Sequence, residues 1–183
     1  RTFNDKPISY HSVPTFLNLK NVEISIAKIN TKNGTFDAEV SLRLEHRDER
    51  LIYNKGHFSE LDCNYSLKDI QKYKKDNILS FWYPEFEINN SHEKFKIIKG
   101  DFTIYPTGLV NTNLRLSVTM NMAPLLHDFP FDKQDFEIDL SPTNYFGDEL
   151  AFFNESKTSL VMPLIKDSQW EFQDYKIEFN DII

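Results

Sequence analysis

The sequence predicts an all-β protein, a sandwich or barrel of antiparallel sheets with one short helix near residues 66–75. Apolar side chains recur with a period of two over long stretches, as strands with one buried face require. Turn signals punctuate those stretches at short intervals. The chain has 183 residues, 40% of them hydrophobic and 16 of them Phe, which is enough apolar mass for a sizeable core. That length suits one domain, residues 1–183, and the composition excludes disorder as the main state.

The elements follow in chain order. Val22, Ile24 and Ile26 form a first, short alternating stretch. Asn33-Gly34 is a hairpin signal leading to the next, where Phe36, Ala38, Val40, Leu42 and Leu44 alternate with Asp37, Glu39, Ser41, Arg43 and Glu45. Ser66-Leu67-Lys68-Asp69 has the form of a capping box and predicts a helix to about Lys75. Pro106 to Gly108 marks a turn. Beyond it, Leu114, Leu116, Val118, Met120 and Met122 alternate with Asn113, Arg115, Ser117, Thr119 and Asn121. Between the turn signals of Pro124 and Ser141-Pro142, Phe136, Ile138 and Leu140 alternate with Asp135, Glu137 and Asp139. Each pattern predicts a sheet with a dry side and a wet side. No repeat, low-complexity run or linker interrupts them.

Charge and cysteine usage narrow the function classes. Lys+Arg 21 against Asp+Glu 28 gives a net charge of −7, so no nucleic-acid partner is expected. Cys63 is the single cysteine, which excludes an internal disulfide framework and a cysteine-rich zinc site and predicts an inert thiol. No stretch approaches the roughly 20 apolar residues that cross a bilayer. The chain opens on Arg1-Thr2-Phe3-Asn4 with neither initiating Met nor signal peptide, as expected of a mature protein or of a piece cut from a larger one.

Catalytic patterns are missing from the sequence. His11, His46, His57, His92 and His127 never stand four apart as a helical zinc pair would. There is no phosphate-cradling glycine loop and no Gly-x-Ser-x-Gly elbow. Asp135, Glu137 and Asp139 share a strand face and could crowd around a cation, but a solvated sheet face is the expectation. Asn33, Asn64, Asn89 and Asn154 each begin an Asn-x-Ser/Thr sequon, which matters in a secretory compartment. No enzyme activity, cofactor or metal is expected.

Phe129-Pro130-Phe131-Asp132-Lys133-Gln134 resembles the Phe-Pro-Phe-Asp core of the Cys-loop receptors, the pentameric ligand-gated ion channels. Animal members flank that core with two half-cystines. Met122 and Phe136 hold those positions here, as in the prokaryotic branch, so apolar packing is expected to replace the staple. Trp82-Tyr83-Pro84-Glu85 is similar to the family's Trp-x-Pro motif. Glu45-His46-Arg47-Asp48-Glu49-Arg50-Leu51 is similar to Trp-x-Asp-x-x-Leu, with His46 for the Trp. Gly108 precedes Phe129 by 21 positions, which suits the hairpin before the signature loop. Ser141-Pro142-Thr143-Asn144-Tyr145 resembles loop B, and Gln169-Trp170-Glu171 the step before loop C.

The resemblance implies a twisted, immunoglobulin-like β-sandwich of about ten strands that assembles as a homopentamer. It implies a ligand site between subunits, with Glu87 and Asn89 from loop A and Thr143 and Tyr145 from loop B on one side. Ser41 and Arg43 from loop D, and Thr103, Tyr105, Asn111 and Asn113 from loop E, stand on the other. Coupling to the pore would fall to the Lys32-Asn33 tip and to Phe129, Pro130, Phe131 and Asp132. Asn89, Thr143 and Ser41 replace aromatic walls, which disfavours a quaternary ammonium and leaves a small polar or amine ligand, a proton or a divalent cation. The expected setting is the cell membrane, this domain extracellular or periplasmic, with a pore domain in the same chain beyond Ile183. The alternatives are a soluble secreted binding protein of the same fold, without a channel, and a carbohydrate-binding or hydrolytic sandwich, which would need a cleft of catalytic carboxylates.

Overall fold

The structure, a computed structural model, describes residues 2–3, 15–53, 63–76, 80–122, 135–143, 150–153, 159–166, 170–171 and 173–178. Its strands are β1 (Thr2–Phe3), β2 (Thr15–Asn30), β3 (Thr35–Arg47), β4 (Cys63–Ser66), β5 (Ser80–Phe81), β6 (Phe86–Ile88), β7 (Lys96–Ile104), β8 (Leu109–Asn121), β9 (Leu140–Pro142), β10 (Leu150–Phe153) and β11 (Ser159–Ile165). The one α-helix among the described residues is α1 (Leu67–Lys75).

The longest alternating stretches become the centre of the main sheet. β3 and β8 pair without a slip from Thr35 opposite Asn121 to Arg47 opposite Leu109. Phe36, Ala38, Val40, Leu42 and Leu44 therefore share the inner face with Leu114, Leu116, Val118 and Met120, and all nine are buried. Neighbours complete the order β10-β2-β3-β8-β7-β4, with β11 also on β2. A second layer, β6 paired with β9, packs Phe86 and Ile88 into the same core, with Phe136, Ile138 and Leu140 closing over it. The result is an all-β sandwich.

A hairpin and a helix cap confirm the punctuation. The β2–β3 hairpin closes through residues 31–34, with Gly34 at φ 64 and the Asn33 N–H donating to Asn30 Oδ1 at 3.2 Å. At α1, Ser66 Oγ accepts from the Asp69 N–H at 3.2 Å, and the Asp69 carboxylate accepts from the Ser66 N–H at 3.0 Å. The capping box is thus built with Asp in the place of Glu, and the hydrogen bonds from Ser66 hold the Asp69 carboxyl below its ordinary pKa. The helix buries Ile70 against Phe81, Phe102, Ile104 and Val110.

The structure departs from the sequence expectation in three ways. β2 is far longer than Val22–Ile26, because register shifts between Leu19 and Asn21 and between Ile26 and Lys28 break the alternation. The sheets are not wholly antiparallel: β10 and β11 run parallel to β2, and β1 parallel to β5. These partners lie far apart in sequence, so no hairpin dictates their direction. Asp135 to Asp139 is not a paired strand, although Phe136 and Ile138 still pack on the core.

Gly108, at φ 79, closes the β7–β8 turn, and its carbonyl accepts from the Asp48 N–H at 2.9 Å. A Cβ there would stand 2.6 Å from the Asp48 carbonyl oxygen, whereas one on Gly34 would meet nothing within 4 Å. Gly34→Ala is therefore expected to cost only the left-handed penalty, about 1–2 kcal/mol. Gly108→Ala adds a backbone clash and is expected to cost at least twice as much, about 3 kcal/mol or more. Urea denaturation of the two variants checks the order, and equal losses would contradict it.

Candidate functional site

The first half of the candidate site grows from the second layer. Along β6, Phe86 and Ile88 point inward, which leaves Glu87 exposed opposite Ser141 of β9. The chain then turns at Asn89–Asn90. Asn89 Nδ2 donates to Asp139 Oδ2 at 3.0 Å, and its Oδ1 accepts from Ser141 Oγ at 3.1 Å. Thr143 is tied in by its N–H, which donates to the Glu85 carbonyl at 2.9 Å. Glu87, Asn89 and Thr143 thus lie along one paired layer, while Tyr145 lies outside the described residues.

The second half lies on the outer face of the main sheet, where odd-numbered residues of β3 and β8 point away from the core. Ser41 stands opposite Arg115, and Arg43 opposite Asn113. With Lys99 and Asp101 of β7 they line an open groove of about 370 Å³. Its charges are largely matched: Arg115 pairs with Glu39, Lys99 with Asp101 at 2.6 Å, and Arg43 lies 3.8 Å from Glu45. The Arg115 hydrogen bond holds the Glu39 carboxyl below its ordinary pKa. Thr103 and Asn111 are opposite one another farther along this face. Thr103 donates to Asn64 Oδ1 at 2.7 Å, and Asn111 Nδ2 donates to the Tyr105 hydroxyl at 3.2 Å.

These halves do not face each other within one chain. Both layers put their inner faces on one core, so Glu87 and Asn89 leave one side of the sandwich while Ser41, Arg43 and Asn113 leave the other. Among the described residues no group of three His, Cys, Asp or Glu side chains is disposed to hold a metal ion, and no helix is long and apolar enough to cross a membrane.

Two motif segments meet in the buried interior, His46 of β3 and Trp82. The His46 ring is 2% exposed and packs edge-on to Trp82, centroids 5.1 Å apart. Among the described residues neither ring nitrogen has a hydrogen-bond partner, and burial pushes the His46 pKa down to about 4, with Asp48 pulling the other way. Asp48 is fully buried, yet its carboxylate is satisfied: Arg50 Nε donates to it at 2.9 Å, Nη2 at 2.8 Å and the Arg50 N–H at 3.0 Å.

At the opposite end of β3 lie the coupling candidates. Lys32 and Asn33 are exposed at the hairpin tip, whereas Phe129, Pro130, Phe131 and Asp132 lie outside the described residues. The ends of their segment are placed: the Met122 N–H donates to the Gly34 carbonyl at 2.8 Å, and the Phe136 ring packs edge-on to Phe36 at 4.7 Å. Met122 and Phe136 both pack on the same core, as expected of an apolar replacement for the staple. Trp170 follows them, 6.2 Å from Phe136.

Sequence reasoning missed several contributors. Lys99 reaches the groove only because a register shift between Ile97 and Lys99 sets β7 against β8 there. Asn90 falls at the end of the loop A segment Glu87–Asn90 and Asp139 among the spaced carboxylates, but the bonds that join them carry no sequence signal.

A family model described as "Neurotransmitter-gated ion-channel ligand binding domain" matches residues 2–181. The chain is also 22% identical over 167 residues to "Gamma-aminobutyric acid receptor subunit beta-4" of Gallus gallus, which covers 87% of this chain and 32% of that protein. It therefore spans about a third of that relative's length.

The state of His46 gives a pH prediction. With a folded pKa of about 4 against the usual 6.5, the unfolded chain takes up the proton first as pH falls. This contribution to stability is intact above pH 6.5 and lost between there and pH 4, in all about 3 kcal/mol. His46→Phe, which keeps a ring against Trp82, should flatten that part of the profile. Urea melts of both proteins at pH 7 and pH 4.5 make the comparison, and identical acid losses would rule His46 out as the cause.

Proposed function

The chain belongs to the neurotransmitter-gated ion-channel ligand-binding domain family, and on that premise we propose that it senses a small polar or amine ligand, a proton or a divalent cation between neighbouring copies of itself. Occupancy of that site biases a membrane pore domain of the same chain. The family is one of ligand-gated channels rather than enzymes, and this domain would stand outside the cell membrane, extracellular or periplasmic.

The observation that carries the reading is the placement of the two half-sites on opposite outer faces of one sandwich. One copy cannot close them into a pocket. A head-to-tail contact brings the Glu87–Thr143 side of one copy to the Ser41–Arg43–Asn113 side of the next, and such a contact closes into a ring when its rotation allows. A homopentamer is the ring proposed.

The chemistry of the halves narrows the ligand. Asn89, Thr143 and Ser41 offer no aromatic face for a quaternary ammonium. Glu87 supplies an exposed carboxylate for an amine or cation, and Arg43 a half-exposed guanidinium on the facing side. The relative's name makes γ-aminobutyric acid, a primary amine that also carries a carboxylate, the first compound to try. Binding shifts the ring only through tighter contacts in one arrangement than in another. The Lys32-Asn33 tip, with Phe129 to Asp132, would carry the shift to the pore.

Complementation tests the intersubunit site in the full-length protein. Glu87→Ala and Arg43→Ala should each abolish or strongly weaken the response to the amine that a thermal-shift screen returns. Co-expression of the two variants should restore part of it, since about a quarter of randomly assembled contacts regain two intact halves. No recovery, with both variants assembled, would refute a site shared between copies. Downstream of Ile183 the gene should encode apolar segments of about 20 residues; a stop codon there would refute the coupling to a pore.

A further inference from the structure

The turn after β6 is tied to the 137–141 segment by side-chain and backbone hydrogen bonds from Asn89 and Asn90. Asn89 donates from Nδ2 to the Asp139 carboxylate and accepts at Oδ1 from the Ser141 hydroxyl, while its N–H donates to the Asp139 carbonyl at 2.9 Å. Asn90 repeats the pattern on the backbone. Its Nδ2 donates to the Glu137 carbonyl at 2.8 Å, and its Oδ1 accepts from the Asp139 N–H at 3.0 Å. A carboxylate and a carbonyl only accept, and an N–H only donates, so the partners fix which way each amide points.

We propose that Asn89 and Asn90 are positioning residues, an amide clamp that holds the Glu85–His92 turn and the 137–143 segment as one body. Asp139 and Ser141 each engage one end of the Asn89 amide, so Asn89 acts on a ligand through the segment it holds. The clamp also reaches the main sheet. The Asn90 carbonyl accepts from the Asn121 N–H at 3.3 Å, and Asn121 precedes Met122, which is bonded to the hairpin tip at Gly34. The side chains that present Glu87 and Thr143 are thereby joined to the end of the domain where Lys32 and Asn33 lie.

The consequence for ligand binding rests on the intersubunit reading above, but the clamp is testable without any ligand. In the full-length protein, hydrogen exchange is followed at the amides of Asn89, Asp139 and Thr143, which bond across the two segments, with β3 and β8 amides as the folding control. Asn89→Asp sets two carboxylates together and should speed exchange at those three positions by about tenfold or more, leaving β3 and β8 unchanged. The exchange variant Asn89→Asp with Asp139→Asn rebuilds an amide–carboxylate pair with its polarity reversed, and should return the rates to within about threefold of the parent. If Asn89→Asp disturbs the whole sheet, Ser141→Ala, which removes one bond, should show the same local pattern more weakly. Unchanged rates in the single variants, or failure of the reciprocal exchange to rescue, would overturn the clamp. A clamp that survives while complementation between Glu87 and Arg43 variants fails would leave this inference standing and remove the other.

Discussion

The unbroken ladder between β3 and β8 is the constraint on which the rest of the molecule depends. Because successive side chains leave opposite faces, one register commits every second residue to the core and every other one to solvent. Phe36 through Leu44 and Leu114 through Met120 obey it, and the same rule sends Ser41, Arg43, Asn113 and Arg115 outward together. A slip of β8 by one residue would turn Asn113 and Arg115 into the core and its apolar set out to solvent, at a cost far beyond any groove contact. Core and groove are two faces of a single pairing.

Much of the fold was legible where one element obeyed one period. β3, β8, the Asn33-Gly34 hairpin, the Pro106–Gly108 turn and the Ser66 cap could be read because local chemistry and tertiary packing asked for the same residues. β2 was under-read because its two register shifts move the buried set from Leu17 and Leu19 to Val22 and Ile26 and then to Ile29. The parallel pairing of β10 and β11 with β2 had no local signature at all.

The candidate site was legible in its residue types and less so in their roles. Motif order assigned Glu87, Asn89 and Thr143 to one half of a site, and in the structure Asn89 bonds to Asp139 and Ser141 and Thr143 to Glu85. That an amide at position 89 would be occupied on both sides depends on a segment some fifty residues away. His46 shows the converse case: a substitution visible in the motif is buried against Trp82, where its nitrogens find no partner among the described residues. Asp48, two residues on, is equally buried but answered by Arg50, so neighbouring polar groups carry opposite energetic consequences.

The junction at Phe36 has a chemical consequence of its own. Met122 and Phe136 pack on the core at the two ends of the Phe129–Asp132 segment, and the Phe36–Phe136 ring contact and the Met122–Gly34 hydrogen bond hold those ends in place. None of these contacts gains or loses electrons. A reductant that would open a sulfur-stapled counterpart therefore leaves both of these contacts in place.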